Sequence, residues 1–597
     1  MARLTVASAI VVLGAGALPV AERIRARYEG ATIHALAGRA EGDVTFSELG
    51  AHLRALYARG NPVVALCAAG IVIRCVAPCL ADKGVEPPVL AVAEDGSAVV
   101  PLLGGLTGVN LLAREIAETL GIAPAITTSG ELRFGACVLN PPEGYALADI
   151  GAGKRFVSDL LAGASTRVEG AAPWLEGVAL PVDTAGSYAI RVTPRRAGGA
   201  GSGELLIHPR SVVVALAEGF ADQAESLATP AQAADGEAGS DPLARRVLDA
   251  LAAADLSPLA LATLVAPRQC MREAALARAA RHLGVPLRFV ASEAEPADAA
   301  ALLEAALAAG SIAASAAIAL GDDDEPSKSL AIAIAEAPVD ANRLGQARGS
   351  LSVLGLGPGR ADLLAPAARL ALAEATDILG YATYVRMAGP FRADQRVHET
   401  DNREELQRAR HAFELAAQGR RVAMVSSGDP GVFAMAAAVL EALDGAGEPA
   451  WDDVALEVVP GVSAAFATAA EAGAPLGHDF CVISLSDNLK PWGVIEERLA
   501  LAARADLVMA FYNPISKARP WQLDRALEIL REVRAADTVV VLGRDVGRPG
   551  ASLRSLTLGE LRAADVDMRT MVIVGSSKTR RFASAEREWI YTPRFYD

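Results

Sequence analysis

The sequence predicts an α/β fold divided among several domains, and three observations carry that reading. The chain has 597 residues, more than a single hydrophobic core organises. Its residues are 52% apolar but only 5% aromatic, so its cores are built from Ala, Val and Leu, as in helix-rich α/β proteins. Short β-branched runs alternate with amphipathic helical runs, the pattern of parallel strands joined by helical crossovers.

The elements follow in order. The apolar run LTVASAIVVLGAGALPVA after Arg3 reads as a buried first strand, a glycine turn and a helix rather than a signal peptide. It breaks at Gly14 and Gly16 and continues into an amphipathic pattern. PVVALCA and PPVLAVA read as further strands and NLLAREIAETLG as a helix. The segment ADIGAGKRF shares only Gly153 and Lys154 with a phosphate loop. The earlier glycine is missing and Arg155 stands where Ser or Thr would hold magnesium, so the segment reads as a turn. Linkers rich in small and polar residues end at Gly203, Pro242 and Ser350. They divide the chain into blocks 1–193, 205–340 and 351–597. The second block draws its strands from LLIHPRSVVVALAEG and VPLRFVA, and its helices from LARRVLDALAAADL and CMREAALARAARHLG.

Composition excludes several classes of function. A formal net charge of -15 argues against nucleic acid or an anionic membrane surface as a partner, since both select a basic face. No stretch offers the roughly 20 consecutive apolar residues of a membrane span. The six cysteines do not form a disulfide framework, which points to a reducing, cytoplasmic compartment. Cys75 and Cys79, with Cys67 nearby, lack the spacing and the fourth ligand of a metal site, so no metal is expected.

The third block opens on a strand followed by VLGLGPG, with Gly355, Gly357 and Gly359. Glycines there admit positive φ and let a ligand approach main-chain N–H groups. Pro358 and the RADLL after it lengthen the turn, so this is not the dinucleotide fingerprint. Four more loops follow predicted strands: SSGDPGVF, VPGVSA, FYNPISKARPW and GRDVGRPG. In an open α/β sheet, loops at the carboxyl ends of strands gather into one crevice, which makes a single ligand site of these loops, Tyr512 included.

With SLSDNLKPW and TMVIVGSSKTRRF, these motifs resemble the tetrapyrrole (class III) methyltransferases, and more narrowly the precorrin-3B C-17-methyltransferases of cobalamin synthesis. The resemblance covers Leu351 to Asp597. It implies a two-lobed αβα fold with S-adenosylmethionine held between the lobes, a tetrapyrrole substrate and a homodimer formed through this block. Carried over residue by residue, the cofactor contacts fall at Pro358, Ser427, Gly428, Asp429, Val432, Ser463, Ala464 and Asn513. Asp429 also reads as an Asp-Pro-Gly turn former, and the two roles are compatible. Where relatives acting on uroporphyrinogen carry an Asp after Tyr in the second strand, this chain has Ala382, so that base is not transferred.

Methyl transfer from a sulfonium needs alignment and exclusion of water more than a metal or a covalent nucleophile. Candidates for catalysis are Asp487 and Lys490, a polar cluster between a strand and Pro491-Trp492, and His478, which reads more simply as a surface turn residue. A substrate bearing many carboxylates favours cations at the rim, and Lys517, Arg519, Arg544 and Arg548 are the candidates.

The first two blocks resemble the cobalt-precorrin-5A hydrolases, through GIVIRCVAPCLADKGVEPPVLAVAEDGSAVVPLLGG, GVNLLAREIAETLG and AITTSGELRF. Two departures fall on polar positions. Gly105 in LGGLTGVN stands where that family has a histidine, and ALAEGF lacks its later Cys and Arg. The resemblance thus leaves two readings, a hydrolase or a module that only binds a corrinoid.

Overall fold

The structure, a computed structural model, describes residues 8–28, 31–80, 86–196, 203–220, 241–291, 298–320, 329–389, 391, 394–401, 404–584 and 587–595. The linker segments at 197–202, 228–240 and 322–328 lie outside the described residues. The chain forms two compact units, one of residues 1–348 with 390–394, the other of 349–389 with 395–597.

Among the described residues, the first unit contains three sheets. The run after Arg3 yields the strand Ala9–Val12, all four residues buried, followed by the helix Leu18–Arg25. This strand lies between Thr32–Leu36 and Val63–Leu66, parallel to both. A strand flanked on both sides and covered on both faces has no polar face to show, hence its unbroken apolar run. Val89–Val92 continues the parallel order, and Val99–Leu103 closes the sheet antiparallel.

Three sequence expectations meet a different outcome here. The break expected between 193 and 205 falls inside one sheet, because Tyr188–Val192 pairs in parallel with Glu204–Pro209. The single strand signal LLIHPRSVVVALAEG is two strands in two sheets, Glu204–Pro209 and Val212–Leu216, divided at Arg210 and Ser211. Both runs are apolar, and apolarity does not report which sheet a strand joins. The segment ADIGAGKRF is likewise not a turn. It starts the helix Ile150–Leu161, with Asp149 Oδ1 accepting from the Ala152 N–H at 2.7 Å, an N-cap that satisfies an otherwise orphaned donor.

The second unit holds two five-stranded sheets and a small three-stranded one. The first sheet is parallel throughout, in the order Arg396–Thr400, Asp377–Tyr381, Arg421–Ser426, Ser350–Gly355, Ala455–Val459. Its register places Gly355 beside Ser426 and Leu354 beside Val459. Three strands therefore end level, and the loops leaving them must share one edge. In the second sheet Ser484 lies beside Tyr512 and Arg544 beside Thr570, which brings a second set of loops to one edge.

Candidate functional site

The glycine loop and the SSGDPG loop are joined by main-chain hydrogen bonds. The Leu356 N–H donates to Ser426 O at 2.8 Å, and Gly357 and Gly428 exchange N–H···O bonds of 3.1 and 2.8 Å. Gly357 and Gly428 have φ of 66° and 72°, a region that suits glycine. The contact is too close for side chains. A Cβ at Gly355 would lie 2.6 Å from Gly428 O and 2.7 Å from Gly461 N. Glycines 355, 428 and 461 thus form a seam of bare backbone at the strand ends.

Asp429 ties this seam to the next loop. Its Oδ1 accepts from the Gly431 N–H at 2.8 Å and its Oδ2 from the Gly461 N–H at 3.0 Å, so the carboxylate forms the turn and bridges two loops. The Val432 N–H donates to Asp429 O within the same turn. Ser463 caps the helix Ala464–Ala472, its Oγ accepting from the Phe466 N–H. The Tyr512 hydroxyl accepts from the Ala465 N–H at 3.2 Å. Asn513, at φ 51°, donates from Nδ2 to Ser484 Oγ at 3.1 Å. Ser463, Ala464, Tyr512 and Asn513 therefore stand around one helix start.

Arg548 joins the GRDVGRPG loop to the glycine seam. Its Nε donates to Pro358 O at 2.9 Å and its Nη2 to Ser427 Oγ at 3.0 Å. Pro358 packs on Gly547, where a Cβ would come within 2.7 Å of its ring, and a Cβ at Gly359 would come within 2.9 Å of Arg548 Cγ. The guanidinium is engaged with the loops themselves, which makes Arg548 a clamp before it is a carboxylate receiver. Arg544 is engaged as well, with Asp567 at 2.9 Å and the buried Asp545 at 3.1 Å. Arg519 differs: its Nε donates to Ser516 Oγ at 3.3 Å, its buried Nη1 has no partner, and it forms no carboxylate pair among the described residues. Lys517 is exposed.

The three catalytic candidates separate. Asp487 and Lys490 follow the strand Phe480–Ser484, on the same edge as Tyr512. Asp487 Oδ2 accepts from Gln522 Nε2 at 3.2 Å. Burial, with the charge of Arg498 adding to it, lowers the Lys490 ammonium below lysine's ordinary pKa, because removing water disfavours the charged form. His478 precedes that strand and so lies at its other end. Its Nδ1 accepts from the Asp479 N–H at 2.7 Å, the arrangement of a turn residue, and the structure does not bring it to the other two.

One residue of this edge was not among the sequence candidates. Phe433 has φ 53° and is 52% exposed. Its ring centroid lies 5.4 Å from that of Tyr512, and Lys490 Nζ lies 5.8 Å from it. A left-handed backbone at an aromatic residue costs energy and persists only where its surroundings enforce it. The only sequence signal was its place after GDPGV, and nothing in a Phe announces positive φ.

Comparison with known proteins places this geometry. Residues 350–562 match the family model of tetrapyrrole (corrin/porphyrin) methylases. The chain is 53% identical over 249 residues to a precorrin-3B C(17)-methyltransferase of Sinorhizobium sp., covering 42% of this chain and 97% of the relative. The chain belongs to the tetrapyrrole methylases. The methylase unit is also 48% identical over 252 residues to the cobalamin biosynthesis protein CobIJ of Mycobacterium tuberculosis, which covers 42% of this chain and 48% of that one. A crystal structure of the methyltransferase CobJ aligns at 52% identity, covering 41% of this chain and all of that one, with a TM-score of 0.39. Ahead of the methylase unit, residues 51–131 match the family model named cobalamin synthesis G N-terminal.

Proposed function

We propose that the methylase unit transfers a methyl group from S-adenosylmethionine to C-17 of precorrin-3B in cobalamin biosynthesis, with contraction of the macrocycle to precorrin-4. The observation that carries the reading is the 53% identity over nearly the whole of a relative of that name. A cobalt-factor III C(17)-methyltransferase relative from Salmonella typhimurium is 42% identical, which favours the cobalt-free substrate.

The residues present fit the cofactor. The seam admits no Cβ at Gly355 or Gly461, and Gly428, at φ 72°, favours none, so backbone rather than side chains meets a ligand there, and the buried Ser426 Oγ on the adjoining strand has no hydrogen-bond partner. When bound, the cofactor supplies an electrophilic methyl group on a sulfonium whose charge vanishes on transfer. Gly357, Pro358, Gly359, Ser427, Gly428, Asp429, Val432, Ser463, Ala464, Tyr512 and Asn513 would hold it. Asp429 fixes the loops rather than the ligand alone, since both its oxygens already accept N–H groups. Arg548 keeps Pro358 and Ser427 in place, which preserves alignment, the main source of rate in a direct displacement. Phe433 and Tyr512 offer ring faces to a planar macrocycle and exclude water beside it. Lys490, Lys517 and Arg519 would meet substrate carboxylates, Arg519 with a buried donor still unpaired. Asp487 is positioned by Gln522 on the same edge.

A homodimer in the cytoplasm completes the proposal. It is consistent with the exposed edge strand Arg580–Ser584, where Phe582 is half exposed, and with the finding that no helix among the described residues is long and apolar enough to cross a membrane.

The test is anaerobic incubation of the purified chain with labelled S-adenosylmethionine and either precorrin-3B or cobalt-precorrin-3. Mass spectrometry should show gain of one methyl with precorrin-3B, and NMR should place it at C-17. Label at another carbon, or cofactor binding with no transfer to either substrate, overturns the assignment.

A further inference from the structure

The first unit contains a cavity of about 370 Å³ that shares no residue with the methylase unit. It opens where the turn Gly104–Gly108, the helix Ser129–Phe134 and the helix Ile150–Leu161 meet. We propose that this cavity is a second ligand site, and that it takes a small apolar carboxylate. The inference stands apart from the methyl-transfer reading and survives its failure.

Size sets the class of ligand. An engineered apolar cavity of about 150 Å³ holds one benzene, so this one encloses a body on the order of 15 non-hydrogen atoms. Its walls are apolar where Leu103, Phe134, Val138 and Val157 line it, and such walls favour a hydrocarbon body.

The polar groups set the charge. Glu131 is only 4% exposed, yet it is not a free anion. Its Oε1 accepts from Asn110 Nδ2 at 2.7 Å and its Oε2 from Arg114 Nη1 at 2.7 Å. A buried carboxylate held on both oxygens, one of them by a guanidinium, is compensated. Lys154 is the contrast: it lines the cavity, is exposed, and makes no ion pair or side-chain hydrogen bond among the described residues. On the same lining, the turn leaves donors over. The Thr107 and Val109 N–H groups both donate to Gly104 O, at 3.0 and 3.1 Å, while those of Gly105 and Leu106 take no part in the turn. Nothing lies within 4 Å of where a Gly105 Cβ would stand. Successive free amides and a lysine lining one cavity suit an anion. Glu86, which also lines the cavity, is the group a cationic ligand would choose instead, so charge preference decides between the two.

The experiment is isothermal titration of the full chain with three probes of one shape, phenylbutanoate, phenylbutylamine and phenylbutanol. Phenylbutanoate should bind most tightly. Lys154→Met, which keeps the aliphatic stem and removes the charge, should weaken it about tenfold, an effect of about 1.4 kcal/mol. Val157→Trp, which fills the cavity, should abolish binding of every probe. Both variants should melt as the parent does and bind S-adenosylmethionine unchanged. Preference for the amine, no binding of the acid at millimolar concentration, or acid binding that survives both variants would each overturn the proposal.

Discussion

Two glycine-rich turns, each directly after a strand, do opposite things in this molecule. At Gly355–Gly359 the missing side chains let backbones touch: a Cβ at Gly355 would sit 2.6 Å from a carbonyl oxygen of another loop. At Gly104–Gly108 the turn faces a cavity, and a Cβ at Gly105 would meet nothing within 4 Å. The first is a closed seam, whereas the second is packed at Gly104, where a Cβ would lie 2.6 Å from Pro87 O, and open at Gly105. Equal composition thus hides unequal constraint, and substitution is the way to expose it.

The largest effect is expected at the seam. Gly355→Ala forces apart the loops carrying Gly428 and Gly461, and an overpacked site of this kind costs about 3 kcal/mol. Cofactor binding, followed by titration, should fall at least about 100-fold, which is the same energy read at the site. An active Gly355→Ala enzyme with unchanged melting would show that the seam is looser than its geometry.

Arg548 tests what holds the seam from outside. Arg548→Ala removes two hydrogen bonds from a charged donor, worth about 1.5–3 kcal/mol each when intact, although the site is partly open and water replaces some of that. Cofactor affinity should drop about tenfold. Arg548→Lys should recover little, because one ammonium does not reproduce a fork reaching both Pro358 O and Ser427 Oγ. Full recovery with lysine would reduce Arg548 to a point charge.

The legibility of the sequence follows the same division. The seam was readable because several motifs, each at the end of a strand, converge by topology: once the strands are parallel and level, their loops have nowhere else to go. What each polar side chain does there was not readable. Arg544 and Arg548 carry the same charge as Arg519, but Asp545, Asp567, Pro358 and Ser427 have already engaged the first two. Apart from Asp545, the residue next to Arg544, those partners come from segments distant in sequence. In the first unit, the helix beginning at Ile150 read as a turn because Gly153 and Lys154 only half match a phosphate loop. Gly153 is instead in that helix for packing, since a Cβ there would lie 2.6 Å from Leu139 Cδ2. The sheet spanning 193–205 was invisible for a related reason: a linker's composition does not reveal whether the strands on either side pair.

Acid should separate the units by stability. His34 is buried, with Nδ1 2.8 Å from His52 Nε2 and Nε2 2.9 Å from Thr32 Oγ1. Burial, reinforced by His52 and Arg59 and opposed by Asp43, lowers its pKa from 6.5 to about 4. The folded form therefore binds fewer protons than the unfolded one between those values. The contribution is complete above pH 6.5 and is lost as pH falls toward 4, amounting to at most about 3 kcal/mol. Melting of the first unit, followed by hydrogen exchange, should fall from pH 7 to pH 5, and His34→Gln should flatten that dependence. A first unit equally stable at both values would contradict the burial of this pair.

A smaller effect of opposite sign is expected at Phe433. Phe433→Gly relieves a left-handed backbone, a gain of about 1 kcal/mol offset in part by glycine's greater freedom when unfolded. The methylase unit should melt slightly higher while the KM for the macrocycle rises and cofactor affinity holds. A variant both more stable and equally active would mean the strained ring faces no substrate.

The smallest effect closes the comparison. Gly105→Ala places a methyl group where nothing stands within 4 Å, and Gly105 is not among the glycines with positive φ. Alanine also restricts the unfolded chain, so stability should hold within about 0.5 kcal/mol or rise. The methyl group partly covers the free amide in the cavity wall, so phenylbutanoate affinity should fall by a few-fold at most. Two alanines, each after a strand and each replacing glycine, would then differ by more than 2 kcal/mol, roughly the difference between a surface that touches another backbone and one that awaits a ligand. Equal losses at both positions would mean that the turn is packed at Gly105 as it is at Gly104, and that the cavity beside it is closed when the protein folds in solution.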